Sequence, residues 1–392
     1  MKALFPNWGI MKEEKRRQLR KIMVEWKTQK DWEVEEADWN DTEKGREYKN
    51  FWFYKRPKGI NIDITHRCPL ECPSCQRQTE FLNAGKKVHG YDLDLSDIEK
   101  LAKYYHQFNL CGQLSDPVHH PKFIEILKIL RRYDCKTIIH NASTFKSMKW
   151  YIEAFKAYPE NAKWIFAIDG LPEESHKHRI NQDGPKMFQI LLEAKKHLLI
   201  TPSWQFIIFS YNEHNVEKAK QMALDNGLGF IEIQSSRWLG QDDPLMPKSQ
   251  KYKLDSKKLE ISKGKFEDVD IKGPIKLMPR CMIKDKATSQ QAAVSNRGHL
   301  IPCCWLDNAK TINHPIMKEL LKVSKINEVE DIEQIVFSKE WQEFEKNLRE
   351  RNMDKILHCC KHHCRLREDK DKLKIETHYG KTGGVEAKNI IG

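Results

Sequence analysis

"INIDITHRCPLECPSCQ", residues 60–76, decides how the rest of the chain is read. Its first six residues alternate β-branched and polar side chains, which predicts a strand. That strand runs directly into Cys68, Cys72 and Cys75, separated by three residues and then two. The cysteines therefore fall on the loop leaving the carboxyl end of a strand. Soft thiolates at close spacing bind zinc or an iron–sulfur cluster. A closed structural zinc site takes four protein ligands, and His66 is the neighbour that would supply the fourth. The other reading is a 4Fe-4S cluster held by three cysteines, with one iron left open.

Working outward, the same alternation of strand and helix repeats. "FNLC" (108–111), "TIIH" (137–140), "WIFAI" (164–168), "WQFIIF" (204–209) and "GFIEI" (229–233) read as strands. Between them, stretches such as Phe123, Ile126, Leu127 and Leu130 repeat at helical spacing. Six strands alternating with five helices predict a parallel α/β sheet with right-handed crossovers, a partial (βα)6 TIM-like barrel. Ligands of such sheets bind at the carboxyl ends of the strands, so the residues after each strand are the candidates for function.

The boundaries follow from composition. Residues 1–56 are charged and tryptophan-rich and read as an N-terminal helical extension. The barrel core spans 57–240, and a Lys-, Pro- and Gly-rich linker spans 241–274. A small cysteine-rich α+β domain spans 275–366, and 367–392 reads as a flexible tail. "GKTGG" (380–384) lacks the upstream glycine of a P-loop.

The chain has 392 residues, enough to bury a sizeable core without disulfides. Its first residues lack the apolar run of a signal peptide, and runs such as "FIIF" are too short to span a bilayer. The expectation is a cytoplasmic protein with no membrane partner. In that compartment eleven cysteines point to metal or catalysis, and nine of them fall in two groups. Cys111 and Cys135, outside both groups, read as ordinary buried thiols. The net charge of +12 admits an anionic partner such as nucleic acid, although a lysine-rich solubilising surface is the plainer explanation.

Cys68-x3-Cys72-x2-Cys75 behind the first strand of a (βα)6 pattern resembles the radical SAM superfamily, over about residues 57–240. The resemblance implies an enzyme whose 4Fe-4S cluster binds S-adenosylmethionine at its open iron and cleaves it reductively. The resulting 5′-deoxyadenosyl radical takes a hydrogen atom from substrate. "CGQLSDP" (111–117) departs from the family's Gly-Gly-Glu-Pro-like segment: Gly112 matches, and Asp116 stands for the glutamate that binds the SAM ammonium group. A plain turn also explains this segment. "HNAST" is similar to the family's ribose-side segment, giving Asn141 and Ser143. "AIDGL" directs Asp169 into the barrel, and Arg179 matches a position that grips the SAM carboxylate, a task suited to a bidentate guanidinium. A surface ion pair is the plainer explanation of Arg179. Asn212 is a candidate for ribose or adenine, or a helix cap. Ser235, Ser236 and Arg237 fall near the cavity mouth.

The second cysteine group is Cys281, Cys303, Cys304, Cys359, Cys360 and Cys364. A cysteine, a hairpin containing Gly298 and a further cysteine resemble the opening of a SPASM/Twitch extension. The resemblance implies one auxiliary 4Fe-4S cluster on Cys281, Cys303, Cys360 and Cys364, the choice within each doublet being open. A zinc knuckle remains the alternative. Three functions follow: radical modification of a peptide or protein, fed by a reductase or flavodoxin-type electron donor; radical chemistry on a small molecule, sugar, nucleoside or nucleic acid; or a non-catalytic, zinc-stabilised nucleic-acid-binding protein.

Overall fold

The computed structural model describes residues 59–235, 242–254, 277, 292–364 and 374–391. The proposed N-terminal extension, most of the linker, Cys281, Ser236 and Arg237 lie outside them.

Six strands form in the expected places: β1 (Gly59–Ile62), β2 (Gln107–Leu110), β3 (Lys136–Asn141), β4 (Ala162–Ala167), β5 (Ser203–Ile207) and β6 (Gly229–Ser235). Each pairs in parallel with the next, so their order in the sheet is their order in the chain. The connecting helices are α1 (Leu95–Tyr104), α2 (Phe123–Arg132), α3 (Met148–Ala157), α4 (Gly184–His197) and α5 (Val216–Asp225). Strict sequential order winds the sheet in one direction, which is the topology of a partial TIM-like barrel.

The helix side holds the main core. Phe123, Ile126, Leu127 and Leu130 of α2 are at most 1% exposed, each contributing about 1.5–3 kcal/mol by burial. They meet an aromatic layer in which Trp164 stacks on Phe166 at 5.8 Å and Phe155 meets Trp164 edge-on at 4.9 Å. Ser147 caps α3 by accepting from the Trp150 amide, and Asp183 caps α4 by accepting from Lys186. Ile165, Ile231 and Ile233, with Ile138 and Ile207, form a separate apolar cluster. They alternate along their strands with core residues such as Trp164, Phe206 and Phe230, so they line the opposite, concave face.

The C-terminal α+β part forms, and its described strands do not stand apart from the barrel sheet. The predicted hairpin forms, as β7 (Ala292–Val294) and β8 (Leu300–Ile301), but β7 pairs in parallel with β1 and extends the barrel sheet. Gly298 turns this hairpin at φ +73°, where a Cβ would lie 1.8 Å from the Tyr91 hydroxyl. Helices α6 (Pro315–Val323), α7 (Lys339–Arg349) and α8 (His358–His363) follow. Residues 374–391 are not the expected flexible tail. They form β9 (Lys374–Tyr379), antiparallel to β6, and β10 (Val385–Ile391), antiparallel to β9. β9 supplies the hydrogen-bonding partner that the β6 edge requires, and its Tyr379 packs on Phe230. Among the described residues the sheet has ten strands. No helix among the described residues is long and apolar enough to cross a membrane.

Candidate functional site at the carboxyl edge of the sheet

The cysteine loop leaves β1 as the alternation predicted. The Cys75 amide donates to the Cys72 carbonyl at 3.0 Å and the Gln78 amide to that of Cys75 at 2.8 Å. The loop thereby tightens into a π-helical turn, Arg77–Phe81. Cys72 is 8% exposed. Burial, reinforced by the Asp116 charge, pushes the Cys68 thiol up to about 12. Burial also raises Cys72, although Arg179 opposes it with its charge and a hydrogen bond to the thiol. Thiols so placed lose their protons to a strongly positive partner such as a metal centre. Among the described residues, no three His, Cys, Asp or Glu side chains converge as a single metal ion requires. A four-iron cube is larger than one ion, and its thiolates stand further apart.

The neighbouring strand ends are tied together by buried carboxylates. Asp63, just past β1, accepts from the Gln113 and Leu114 amides at 3.1 and 3.2 Å and from the Ser115 hydroxyl at 2.7 Å. Burial outweighs these bonds and pushes its carboxyl up to about 6. Gly112 turns the same loop at φ +55°, where a Cβ would meet the Ser115 carbonyl oxygen at 2.1 Å.

Asp116, Asn141 and Ser143 come together. Asp116 accepts from the amides of Val118, Ala142 and Ser143 at 3.2, 2.8 and 2.9 Å, and from Asn141 Nδ2 at 3.2 Å. A carboxylate has about four lone-pair sites, so Asp116 is filled by its own loops. Its observed task is to staple the β2 and β3 ends. Asn212 is likewise committed: its Oδ1 accepts from the Phe209 amide at 2.7 Å and its Nδ2 donates to Ile207 at 3.0 Å.

Asp169 and Arg179 form the link to the cysteines. Asp169 is fully buried and accepts from Arg179 Nε at 2.7 Å and the Ile207 amide at 2.9 Å, with His178 Nδ1 at 2.9 Å. Burial alone would raise its carboxyl, but Arg179 and then His178 hold it below the usual range. Arg179 thus bridges the β4 end and Cys72, and its guanidinium is held protonated by Asp169 and then Cys72 against the cost of burial. Gln182 donates to the carbonyls of Ala142 and Ala167 at 2.5 and 2.9 Å, tying the β3 and β4 ends.

Asp63, Arg77, His178 and Gln182 were not singled out from sequence. Asp63 had a signal, because it lies inside the quoted strand and loop. Arg77 follows Cys75 by two residues, yet its role depends on how the loop curls back.

The second cysteine group splits at its first doublet. Cys303, Cys359, Cys360 and Cys364 line one cavity, with Trp305, Leu306, Phe344, Leu348 and His363. Trp305 stacks on His363 at 4.1 Å. Cys304 turns away, its sulfur accepting from Asn61 Nδ2 of β1 at 3.7 Å. Cys135 is a buried core thiol, as expected. Cys111 is only partly buried, against the expectation, because it sits at the loop leaving β2 rather than in the core, within electrostatic reach of Asp63 and Cys304.

No family model matches the sequence, and no curated protein matches it. Among solved structures, SuiB of Streptococcus suis bound to precursor peptide SuiA is similar over 84% of this chain and 77% of that chain, at 9% identity and a TM-score of 0.49. Native anSMEcpe with bound AdoMet matches over 78% and 89%, at 15% identity and a TM-score of 0.47. BtrN in complex with AdoMet and 2-DOIA matches over 78% and 92%, at 14% identity and a TM-score of 0.42. All three scores fall short of one half, so the fold rests on the strand order and register of this chain.

Proposed function

We propose that this protein is a radical SAM enzyme acting on a peptide or protein. The observation that carries the reading is the three-cysteine loop at the carboxyl end of β1, with Arg179, paired to Asp169 at 2.7 Å, within electrostatic reach of Cys72. The donor set fits an iron–sulfur cluster: three soft thiols in one loop, flanked by a buried cation. When bound, such a cluster would hold S-adenosylmethionine at its open iron and deliver the electron that cleaves it, yielding the radical that takes a substrate hydrogen.

The chain's residues bind and orient. Cys68, Cys72 and Cys75 would hold the cluster. Arg179 keeps a positive charge beside them, with N–H groups beyond the one given to Asp169, a donor set suited to the co-substrate carboxylate. Asp63, Gly112, Asp116, Asn141, Ser143 and Gln182 fix the strand-end loops around the site. Asn212 holds the β5 loop. Ser235 and β9 line the β6 side. Cys303, Cys360 and Cys364, with Cys359 or Cys281, are the ligands of an auxiliary cluster.

The peptide or protein substrate rests on the SPASM/Twitch-like resemblance of the second cysteine group, an analogy of family rather than of geometry. The +12 charge favours a second reading, radical chemistry on a nucleotide or nucleic acid. Either requires a low-potential donor of the reductase or flavodoxin type, and both are compatible with a cytoplasmic setting.

The test is anaerobic purification, iron and sulfide analysis, and assay of 5′-deoxyadenosine after addition of S-adenosylmethionine and dithionite. About eight irons per chain, from two four-iron clusters, together with 5′-deoxyadenosine support the proposal. Zinc without sulfide and no cleavage replace it with the zinc-stabilised binding protein.

A further inference from the structure

Arg77 begins the π-helical turn directly after Cys75. Its side chain does not run out to solvent. Nη1 donates to the His66 carbonyl at 2.5 Å and to the Leu114 carbonyl at 3.1 Å. The guanidinium is therefore pinned between the start of the cysteine loop and the loop after β2. Its Nε–H is buried and has no hydrogen-bond partner among the described residues. A buried donor left unpaired costs about 1–3 kcal/mol, and more when it is charged. The nearby Asp63 carboxylate already has three donors of its own. The cation also lies within electrostatic reach of Cys68.

We propose that Arg77 is a positioning and tuning residue whose Nε–H donates to sulfur of the cluster held by Cys68, Cys72 and Cys75. This rests on the iron–sulfur reading of that loop. Reduction adds one negative charge to the cluster, so a partly buried cation with a hydrogen bond to sulfur stabilises the reduced form more than the oxidised form. Hydrogen bonds to sulfur and local charge are known determinants of cluster potential. Arg77 thereby raises the potential at which the site accepts its electron. Arg179 acts on the same loop through Cys72.

The test is an EPR-monitored redox titration of the full chain, reconstituted anaerobically, before any S-adenosylmethionine is added. The first cluster is identified afterwards by the response of its signal to S-adenosylmethionine. Arg77→Met is expected to retain iron and sulfide but to lower the reduced-to-oxidised ratio at the wild-type midpoint about tenfold, a shift of about 59 mV for one electron. Arg77→Lys keeps the charge without the Nε–H and is expected to shift less, in the same direction. A wild-type midpoint in either loaded variant overturns the proposal. So does an equal shift in Arg67→Met, which removes an exposed guanidinium paired with Asp92. If Arg77→Met does not load, the loaded Arg77→Lys decides by the same criterion. If neither loads, Arg77 is a loop-folding residue and the tuning role falls. Wild-type protein that takes up zinc and no sulfide removes the iron–sulfur reading itself, a failure separate from an unmoved potential in a loaded cluster.

Discussion

Asp169→Asn is the sharpest test of the bridge between the β4 end and the cysteine loop. The carboxylate is fully buried and takes the Arg179 Nε, His178 Nδ1 and Ile207 amide contacts at 2.7–2.9 Å. Asparagine keeps one oxygen and turns an NH2 group towards donors. Arg179, whose side chain is 15% exposed, then remains as a largely buried charge without its anion. Removing one partner of such a pair costs about 3–5 kcal/mol, roughly two to four powers of ten in the folding constant. The assay is urea denaturation of the full chain, read as a lower midpoint at unchanged slope. Adding Arg179→Met should cost less than the sum of the two single changes, because the double variant leaves no unpaired charge from the bridge.

The pH dependence has a fixed sign. Asp169 is depressed in the folded state, with Arg179 and His178 outweighing burial. Its contribution is complete above the unfolded value of about 3.9 and is lost as pH falls below it through the folded value. Asp169→Asn should lack that acid-side loss. A cost below about 1 kcal/mol, typical of solvent-screened pairs, or strict additivity in the double variant would refute the bridge.

Three further outcomes follow from the same geometry. Cys303→Ser should lose the second group's share of iron, about four atoms, while Cys304→Ser retains it, because Cys304 faces Asn61 rather than the cysteine cavity; equal loss by iron and sulfide analysis would reject the assignment. Asp63, pushed up to about 6 by burial, has the opposite sign to Asp169: its ionisation costs the folded state stability as pH rises from about 4 to about 6. Asp63→Asn should flatten that part of the stability–pH curve, and an unchanged slope would count against it. Deleting residues 374–392 should strip β6 of its partner strand and cost soluble protein; full solubility and an unchanged urea midpoint would show that the β6–β9 pairing contributes nothing.

What the sequence disclosed and what it hid have physical causes. β1 to β6 were legible because their core side alternates large apolar residues with others, as in Trp164–Phe166 and Trp204–Phe206, and helices of matching period stand between them. β9 was not legible, because the hairpin strand added beyond β6 is half polar on both faces. Lys374, Glu376 and His378 share one face, and Ile375, Thr377 and Tyr379 the other, so "KIETHY" carries the alternation without the hydrophobicity that announces a core strand. The polar face is itself organised: Glu376 pairs with both Lys374 and His378 at 2.5 Å, beside Ile231 and Ile233 on the concave side. At the site, the cysteine spacing could be read directly as a ligand pattern, since ligand spacing is local. The tasks of Asp116, Arg179 and Arg77 could not be read locally. Each depends on which carbonyl, amide or thiol a distant loop brings within 3 Å, and that is fixed only when the parallel strands set their ends side by side. Residue types near a strand end thus indicate a site, while the hydrogen-bond partners decide which of them remain free to serve it. By that criterion Asp116 is committed to its loops, and Arg77 and Arg179 are the side chains with donors left to offer.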